Sequence, residues 1–515
     1  MLDKFTKRVS NFTIGTLISR IAGLGRESIF AYLFGAGFAT DAFQVAFRIP
    51  NLLRDLFAES ALSAAFVPTF VDNLNKQERN EVWKFASNMF NVMVIIIGGI
   101  TVLGILFAPY IVKIIAYGFG AEPGKQELTV VLTRIMFPFL LFVALAAWTM
   151  GILNAFQHFF VPAIAPAFFN IFSILIPIIS YQYFVNHHTE PILGMAYGVT
   201  IGAIFQFVVQ LPLLIKKGFR YHFYLNFRDK QLQRVFLLWL PTILGFAAYQ
   251  INFAVNTFLV TFLAERSITW LNYAYRVMHL PAGLFGVAIG SVAVAEFATR
   301  VSQNSIATLK ERLQHALKLV SLLTMPIATM LAILALPICR VIYQRGKFTA
   351  EDTQFTAQAL MLYAPGIFAS AGVRSIAACF YALKDTKTPA LVGLGIVVIN
   401  FIINRSLMWV IGYRTFPIAT SVCAFINFAV LFYLLRRKIG YLNGRRIFYI
   451  IGKSFIFSLV SGAVCYILYK TFTKFYLPTI NSFLYSLIIL TICGSIGIGV
   501  FYMLYRIFIA RTETK

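Results

Sequence analysis

The sequence predicts an all-α polytopic membrane protein with about fourteen transmembrane helices. Of its 515 residues, 59% are hydrophobic and 12% are charged, whereas a soluble protein carries about 25% charged residues. Apolar runs long enough for a helical span, about 20 residues, recur along the whole chain. Basic residues concentrate in every second connection between these runs, which is the distribution that orients helices in a membrane.

The predicted spans follow one another with short polar connections. They cover residues 12–35, 40–70, 85–117, 128–156, 160–184, 191–215, 234–263, 268–299, 313–343, 354–382, 388–412, 416–436, 447–471 and 481–509. An even number of spans places both termini on one side, and the loops of that side hold most of the lysines and arginines. The positive-inside rule therefore predicts that both termini are cytoplasmic.

The net charge of +25 follows from these basic loops, so we expect anionic membrane lipids as partners and no nucleic acid. The five cysteines stand singly in apolar runs without CxxC spacing and are predicted to be free thiols. The sequence contains no HExxH, GxxxxGK[ST] or GxSxG motif. We therefore predict no metal, no cofactor, no catalytic residue and no enzymatic activity.

An internal repeat divides the chain into two halves. A shift of 228 residues places Phe47-Arg48-Ile49 on Tyr275-Arg276-Val277, so that one intramembrane arginine coincides with another. Such duplication is common in secondary transporters, whose substrate site lies between the halves. The predicted organisation is an N-lobe at 1–215 (spans 1–6), a basic cytoplasmic loop at 216–233, a C-lobe at 234–436 (spans 7–12), and spans 13 and 14 with a cytoplasmic tail at 437–515.

Four arginines in the first, second and eighth spans are the predicted substrate-binding residues: Arg20, Arg26, Arg54 and Arg276. An ionisable group at the bilayer centre costs about 2.5–3.5 kcal/mol on insertion scales, so several of them need a function. Arginine stays charged and binds phosphate oxygens through two parallel hydrogen bonds. The cluster therefore indicates an anionic ligand of the phosphate or diphosphate class.

Ion pairing inside the protein is the alternative explanation for these arginines. It would join Arg26 to Glu27 or Asp41, and Arg48 to Asp55, two turns further along one helix face. For Arg48 the two explanations are balanced, whereas ligand contact is favoured for the arginines at 26, 54 and 276.

Five further charged or titratable residues are predicted to have gating or structural roles: Glu27, Asp41, Arg48, Glu59 and His279. Asp41 follows a glycine-containing turn, so it either caps the second helix or forms a gate by pairing at the outer mouth. Glu59 lies deep in a span and is expected to be the buried partner of an arginine. His279 follows the eighth-span arginine by one turn and is either a hydrogen-bonded structural group or a switch.

Seven stretches of the chain resemble the MurJ (MviN) family of lipid II flippases, in the multidrug/oligosaccharidyl-lipid/polysaccharide exporter superfamily. They are SRIAGLGRE, FGAGFATDAF, RIPNLLRDLFAESALSAAFVP, GILNAFQHFFVPAIAPAFFNI at 151–171, NYAYRVMHLPAGLFGVAIG at 272–290, RGKFTAED at 345–352 and FYALKDTKTP at 380–389. The matches run in order over most of the chain, and the last two spans resemble the family mainly by position.

The resemblance implies a function in peptidoglycan biosynthesis, in the bacterial cytoplasmic (inner) membrane. Lipid II, undecaprenyl-diphosphate-MurNAc-pentapeptide-GlcNAc, would move from the cytoplasmic to the periplasmic leaflet by alternating access. The family's arginines correspond to Arg20, Arg26, Arg54 and Arg276, which are expected to hold the diphosphate, and its ATDAF aspartate corresponds to Asp41. Spans 13 and 14 would form a groove for the lipid tail, and the cell-wall synthesis machinery is a further expected partner.

The chain departs from the family pattern at two positions. Glu27 replaces the usual aspartate, and His279 stands where relatives often have an acid, so gating or ion coupling by that acid is not expected here. Spans 7 and 11 carry asparagines but no carboxylate, which disfavours a cation site in them. The alternatives are an exporter of another polyprenyl-linked glycan or of a drug, a lipid-phosphate enzyme, and a non-transporting scaffold.

Overall fold

A computed structural model describes residues 2–55, 60–302, 305–442, 444–474 and 482–510. Within these ranges, side chains are described except at 2–13, 60–65, 240–249, 282–292, 294–295, 298–302, 446, 482 and 509–510. Throughout the described ranges the regular structure is helical and no strand occurs. The predicted all-α class is therefore confirmed.

Eleven α-helices precede residue 267 in the described ranges. They are α1 (Leu2–Phe34), α2 (Phe38–Arg54), α3 (Ser60–Lys76), α4 (Arg79–Leu106), α5 (Ala108–Ile115), α6 (Lys125–Met136), α7 (Phe139–Ala155), α8 (Phe160–Asn186), α9 (Leu193–Val208), α10 (Leu211–Lys216) and α11 (Lys230–Val260). Proline explains where several long apolar runs divide into two helices. Pro109 and Pro212 stand in the first turns of α5 and α10, and Pro138 immediately precedes α7, positions where the missing N–H costs nothing.

Nine α-helices follow in the part of the chain that the structure describes. They are α12 (Ser267–Ser302), α13 (Ile306–Ile333), α14 (Ala335–Tyr343), α15 (Ala350–Tyr363), α16 (Gly366–Ala382), α17 (Lys387–Ile411), α18 (Thr415–Ile439), α19 (Gly444–Lys474) and α20 (Ser482–Tyr505). Helix α15 begins with a capping box. The Thr349 hydroxyl accepts from the Asp352 N–H, and the Asp352 carboxylate accepts in return from the Thr349 N–H.

Each of the fourteen predicted spans coincides with one of these helices or with a consecutive pair. By length and composition, eight segments of the described chain can cross a membrane, or nine if the pair α15 and α16, bent by 42°, is one span. One of the eight, Lys387–Ile439, has 53 residues, which is enough for two crossings of about 20 residues each. The exact number of fourteen stays a prediction.

The helices form two compact units. The first comprises Met1–Arg266 together with Arg345–Lys347. Helix α8 packs against α1 and α9 in this unit, and α11 packs against α3. A Cβ at Gly202 of α9 would lie 2.6 Å from the backbone oxygen of Phe169, so glycine permits this close approach of α8 and α9.

The second unit comprises Ser267–Gln344 and Phe348–Lys515. Buried side chains of α12, α13, α16 and α18 form its main core. Helices α19 and α20 pack against each other and against α13, and the Ser461 hydroxyl of α19 donates to the Gly497 carbonyl of α20 at 2.6 Å. All five cysteines lie in this unit, buried and free, which confirms the predicted free thiols.

Candidate functional site

Arg26 of α1 is joined to Glu27. Its Nη2 lies 2.7 Å and its Nε 3.2 Å from Glu27 Oε1, and its guanidinium lies 5.3 Å from the ring centre of Phe169 on α8. The side chains of the pair are 14% and 8% exposed. This is one of the two partners that the ion-pair alternative gave Arg26. Arg20, earlier on the same helix, is exposed.

Arg54, at the end of α2, is joined to Asp55. The two side chains approach to 2.7 Å, and the second oxygen of Asp55 accepts from Gln250 Nε2 on α11 at 3.1 Å. The Asp55 carboxylate, which the ion-pair alternative gave to Arg48, accepts from Arg54 and Gln250. Arg48 places its guanidinium 3.5 Å from the ring centre of Phe253, also on α11, a cation–π contact.

One alternative predicted that Asp41 caps α2, and the structure contradicts it. Gly37 occupies the N-cap position, where its N–H donates to the Thr40 hydroxyl at 2.7 Å. The Phe38 N–H donates to Glu265 Oε1 at 2.7 Å. Asp41 lies one turn inside the helix and accepts from the Arg266 N–H, also at 2.7 Å. Its carboxylate therefore holds the connection between α11 and α12 rather than its own helix end.

A buried lysine completes this arrangement. Lys125 Nζ lies 2.9 Å from Glu122 and 3.6 Å from Asp41, and the Lys125 and Asp41 side chains are 1% and 2% exposed. We call these three residues the Lys125 cluster. The ammonium also lies 4.6 Å from the ring centre of Phe119. Lys125 is the first residue of α6, where the helix dipole disfavours a cation, so the two carboxylates stabilise its charge.

The segment Arg345–Lys347 also belongs to the first unit. The Lys347 N–H donates to the Tyr32 carbonyl at 3.0 Å, and its Nζ donates to the Tyr181 hydroxyl at 2.7 Å. Gly346, at φ 55°, passes so close to Tyr32 that a Cβ would lie 2.3 Å from its backbone oxygen. The segment is therefore bonded to α1 and α8.

The second unit holds Arg276 and His279 on α12. Both are partly buried, and the His279 ring lies 4.3 Å from that of Tyr275. Arg374 of α16 interacts electrostatically with His279. Because Arg276 and the arginines of α1 and α2 lie in different units, their convergence stays a prediction. Glu59 lies outside the described residues.

Two charged residues that the sequence does not single out, Lys125 and Arg374, are buried or partly buried in the structure. Arg374 is a lone arginine within the apolar run of α16, so the criterion that selected Arg276 also selects it. Lys125 lies in a polar connection between two predicted spans, and its sequence context does not distinguish it from the lysines of the other loops. Only its burial distinguishes it.

The motif FYALKDTKTP forms a polar junction between α16 and α17. The Asp385 carboxylate accepts from Lys438 Nζ, from the Thr388 hydroxyl at 2.8 Å and from the Thr388 N–H at 3.0 Å. The hydrogen bond from Lys438, followed by that from the Thr388 backbone, lowers the pKa of Asp385 from 3.8 to about 2. A carboxyl whose pKa is lower in the folded state stabilises the fold above its unfolded pKa. This stabilisation is lost as the pH falls from 3.8 to about 2.

We expect Asp385→Asn to lower the free energy of unfolding by about 1 kcal/mol at neutral pH, since Lys438 is partly exposed. The melting temperature should fall equally at about pH 7 and about pH 5, and by less at about pH 3. Lys438→Gln should reproduce the loss, and the double variant should lose little more. An equal fall in melting temperature at all three pH values would contradict the lowered pKa of Asp385 as the source of this stability.

Comparisons of sequence place this chain among known proteins. A family model described as "Lipid II flippase MurJ" matches residues 30–487. The chain is 31% identical over 501 residues to a probable lipid II flippase MurJ of Buchnera aphidicola subsp. Schizaphis graminum, covering 97% of this chain and 95% of that protein. It is 33% identical over 435 residues to the lipid II flippase MurJ of Burkholderia cenocepacia, covering 84% and 83%.

Comparisons with solved structures agree with the sequence comparisons. A solved structure described as "Lipid II flippase MurJ, inward closed conformation" matches with a TM-score of 0.79 and 29% identity, over 98% of this chain and 99% of that one. An inward-facing multidrug resistance MATE family transporter of the MOP superfamily matches with a TM-score of 0.69 and 12% identity, over 85% and 99%. At that identity the second match shows a shared fold alone.

Proposed function

The chain belongs to the MurJ family of lipid II flippases, and we propose that it moves lipid II across the membrane without changing it chemically. The observation that carries the proposal is the family match, which runs from the last turns of α1 to the start of α20. The charged residues of α1 and α2 support it, because an apolar bundle has no structural need for them.

We propose that Arg20, Arg26, Arg54 and Arg276 bind the diphosphate of the substrate. In the described state Arg26 and Arg54 are paired with the carboxylates of the residues that follow them. The carboxylate partner offsets the desolvation penalty of a guanidinium that is partly removed from water. A diphosphate offers more acceptor oxygens than a single carboxylate. Capture of the substrate would therefore exchange the carboxylate partner for the diphosphate.

Alternating access would connect this binding step to release on the other side of the membrane. The N-lobe at 1–215 and the C-lobe at 234–436 would rock about the site, with the termini and the loop 216–233 in the cytoplasm. Spans 13 and 14, within 437–515, would guide the lipid tail. An exchange of partners has no direction by itself. We propose that the membrane potential biases the two states through the charge of the site.

A leaflet-resolved assay of lipid II tests this function. Cells depleted of the protein should accumulate lipid II in the cytoplasmic leaflet and lyse, and expression of the wild-type chain should restore its appearance in the outer leaflet. Loss of a different surface glycan with intact peptidoglycan would favour the related exporter function instead. Turnover of lipid II by the purified protein would favour a lipid-phosphate enzyme.

A further inference from the structure

The connection between α10 and α11 is an extended segment held along α4. We call residues 219–227 the strap. Asn88 of α4 clamps it from both directions, accepting from the Asn226 N–H at 2.8 Å and donating to the Asn226 carbonyl at 3.0 Å. Asn91 donates to the Tyr224 carbonyl at 2.9 Å, and the His222 N–H donates to Ser87 at 3.0 Å. Every second residue of the strap is therefore bound to α4.

Aromatic packing fixes the start of the strap. The Phe219 ring lies 5.6 Å from Trp83 and 5.7 Å from Trp148, measured between ring centres. The Tyr221 hydroxyl donates to Asn91 at 2.8 Å. In an extended chain successive side chains point to opposite faces, so a shift by one residue would exchange the two faces. The clamps of α4 thus decide which side chains face outward.

The outward face of the strap is apolar. Its residues are Phe223, Leu225 and Phe227, which are 92%, 45% and 50% exposed. An ordered row of large apolar side chains on a surface marks a contact with another protein or with a membrane. Because the backbone is pinned to α4, these side chains cannot turn inward.

Charge around the strap decides which of these partners fits. Within 216–230 the acidic residue is Asp229. The basic residues that flank or interrupt the strap are Lys216, Lys217, Arg220, Arg228 and Lys230. The strap follows directly on the candidate membrane span Leu193–Lys216, so it starts at a membrane boundary. Aromatic side chains beside lysine and arginine are typical of the zone between lipid headgroups and acyl chains.

We propose that the strap is an interfacial anchor, which inserts Phe223, Leu225 and Phe227 into the leaflet on the side of the N-terminus. Its basic neighbours bind the anionic headgroups of that leaflet. The anchor fixes α4 and the connection into α11 at a set depth. This inference concerns a lipid contact outside the substrate site, so a negative result for the anchor would not contradict the flippase function.

Fluorescence quenching of the full-length chain in lipid nanodiscs tests the anchor. Phe223→Cys receives an environment-sensitive label, and wild-type protein serves as the blank because its cysteines are buried. Gln77→Cys, in the exposed turn between α3 and α4, is the matched control. We expect nitroxide-labelled lipids to quench the label at 223 and aqueous iodide to quench it several-fold less than the label at 77. Equal iodide quenching at both positions would overturn the proposal.

The charge of the lipid provides a second measurement. Protection from iodide at 223 should increase when phosphatidylglycerol is added to phosphatidylcholine, and Lys216→Gln with Lys217→Gln and Arg220→Gln should remove this dependence. Phe227→Cys should repeat the result at 223. Protection that develops only after a soluble extract is added, at any lipid composition, would identify a protein partner and contradict the anchor.

Discussion

Alanine in place of Arg26, Arg54 or Arg276 is expected to abolish rescue of a strain depleted of the wild-type protein. A hydrogen-bonded contact between charged groups contributes about 1.5–3 kcal/mol, which corresponds to about 10- to 150-fold weaker binding of the diphosphate. Growth after depletion measures function. The amount of each variant in the membrane shows whether it was inserted.

Two controls separate ligand binding from charge and from folding. Arg26→Lys keeps the positive charge but loses the planar fork, so it should restore only part of the function. Arg405→Ala removes an arginine of α17 that is exposed and lies 5.9 Å from the Trp409 ring centre, and it should leave rescue intact. If all three alanine variants at 26, 54 and 276 support full growth, the predicted substrate site is wrong.

Lys125→Met is expected to lower the free energy of unfolding by about 3–5 kcal/mol, the largest stability effect we predict. Removing one member of a buried ion pair leaves an uncompensated buried charge. Here the remaining charge is Asp41, whose side chain is 2% exposed. Heating the purified protein with a thiol-reactive dye measures the effect, since the five buried cysteines become reactive on unfolding.

Substitutions of the two carboxylates serve as controls for this result. Glu122 is 36% exposed, so Glu122→Gln should cost about 1 kcal/mol or less. Asp41→Asn combined with Lys125→Met removes both charges and should recover part of the loss of Lys125→Met alone. A melting temperature for Lys125→Met close to that of Glu122→Gln would show that Lys125 is not buried as a charged partner.

The helices and their order could be predicted from sequence, because hydropathy and proline are properties of short stretches. The splitting of runs at Pro109 and Pro138 follows from the same local rules. The pairing of Arg26 with Glu27 was one of two alternatives, and adjacency in the chain did not decide between them.

Partners from distant helices could not be predicted. The spacing on one helix gives Asp55 to Arg48 as one of two alternatives, yet the Asp55 oxygens accept from Gln250 of α11 and from the adjacent Arg54. The turn before Asp41 suggests a helix cap as one of two alternatives, yet its carboxylate accepts from the N–H of Arg266. In both cases a residue more than 190 positions away donates one of the hydrogen bonds, and helix periodicity contains no information about it.

The sequence by itself determined the membrane class, the helical fold, the family and the set of intramembrane charges, because each depends on composition, local periodicity or ordered motifs. Only the tertiary structure decided which charges neutralise one another, which lysine is buried and which face of the strap points outward. These properties depend on which helices pack together, and packing joins residues that the chain keeps far apart. Burial then decides how much each charge contributes to the free energy of unfolding. Lys125 is buried, so removing it leaves a desolvated carboxylate without its cation, whereas an exposed lysine such as Lys216 beside the strap has no such effect.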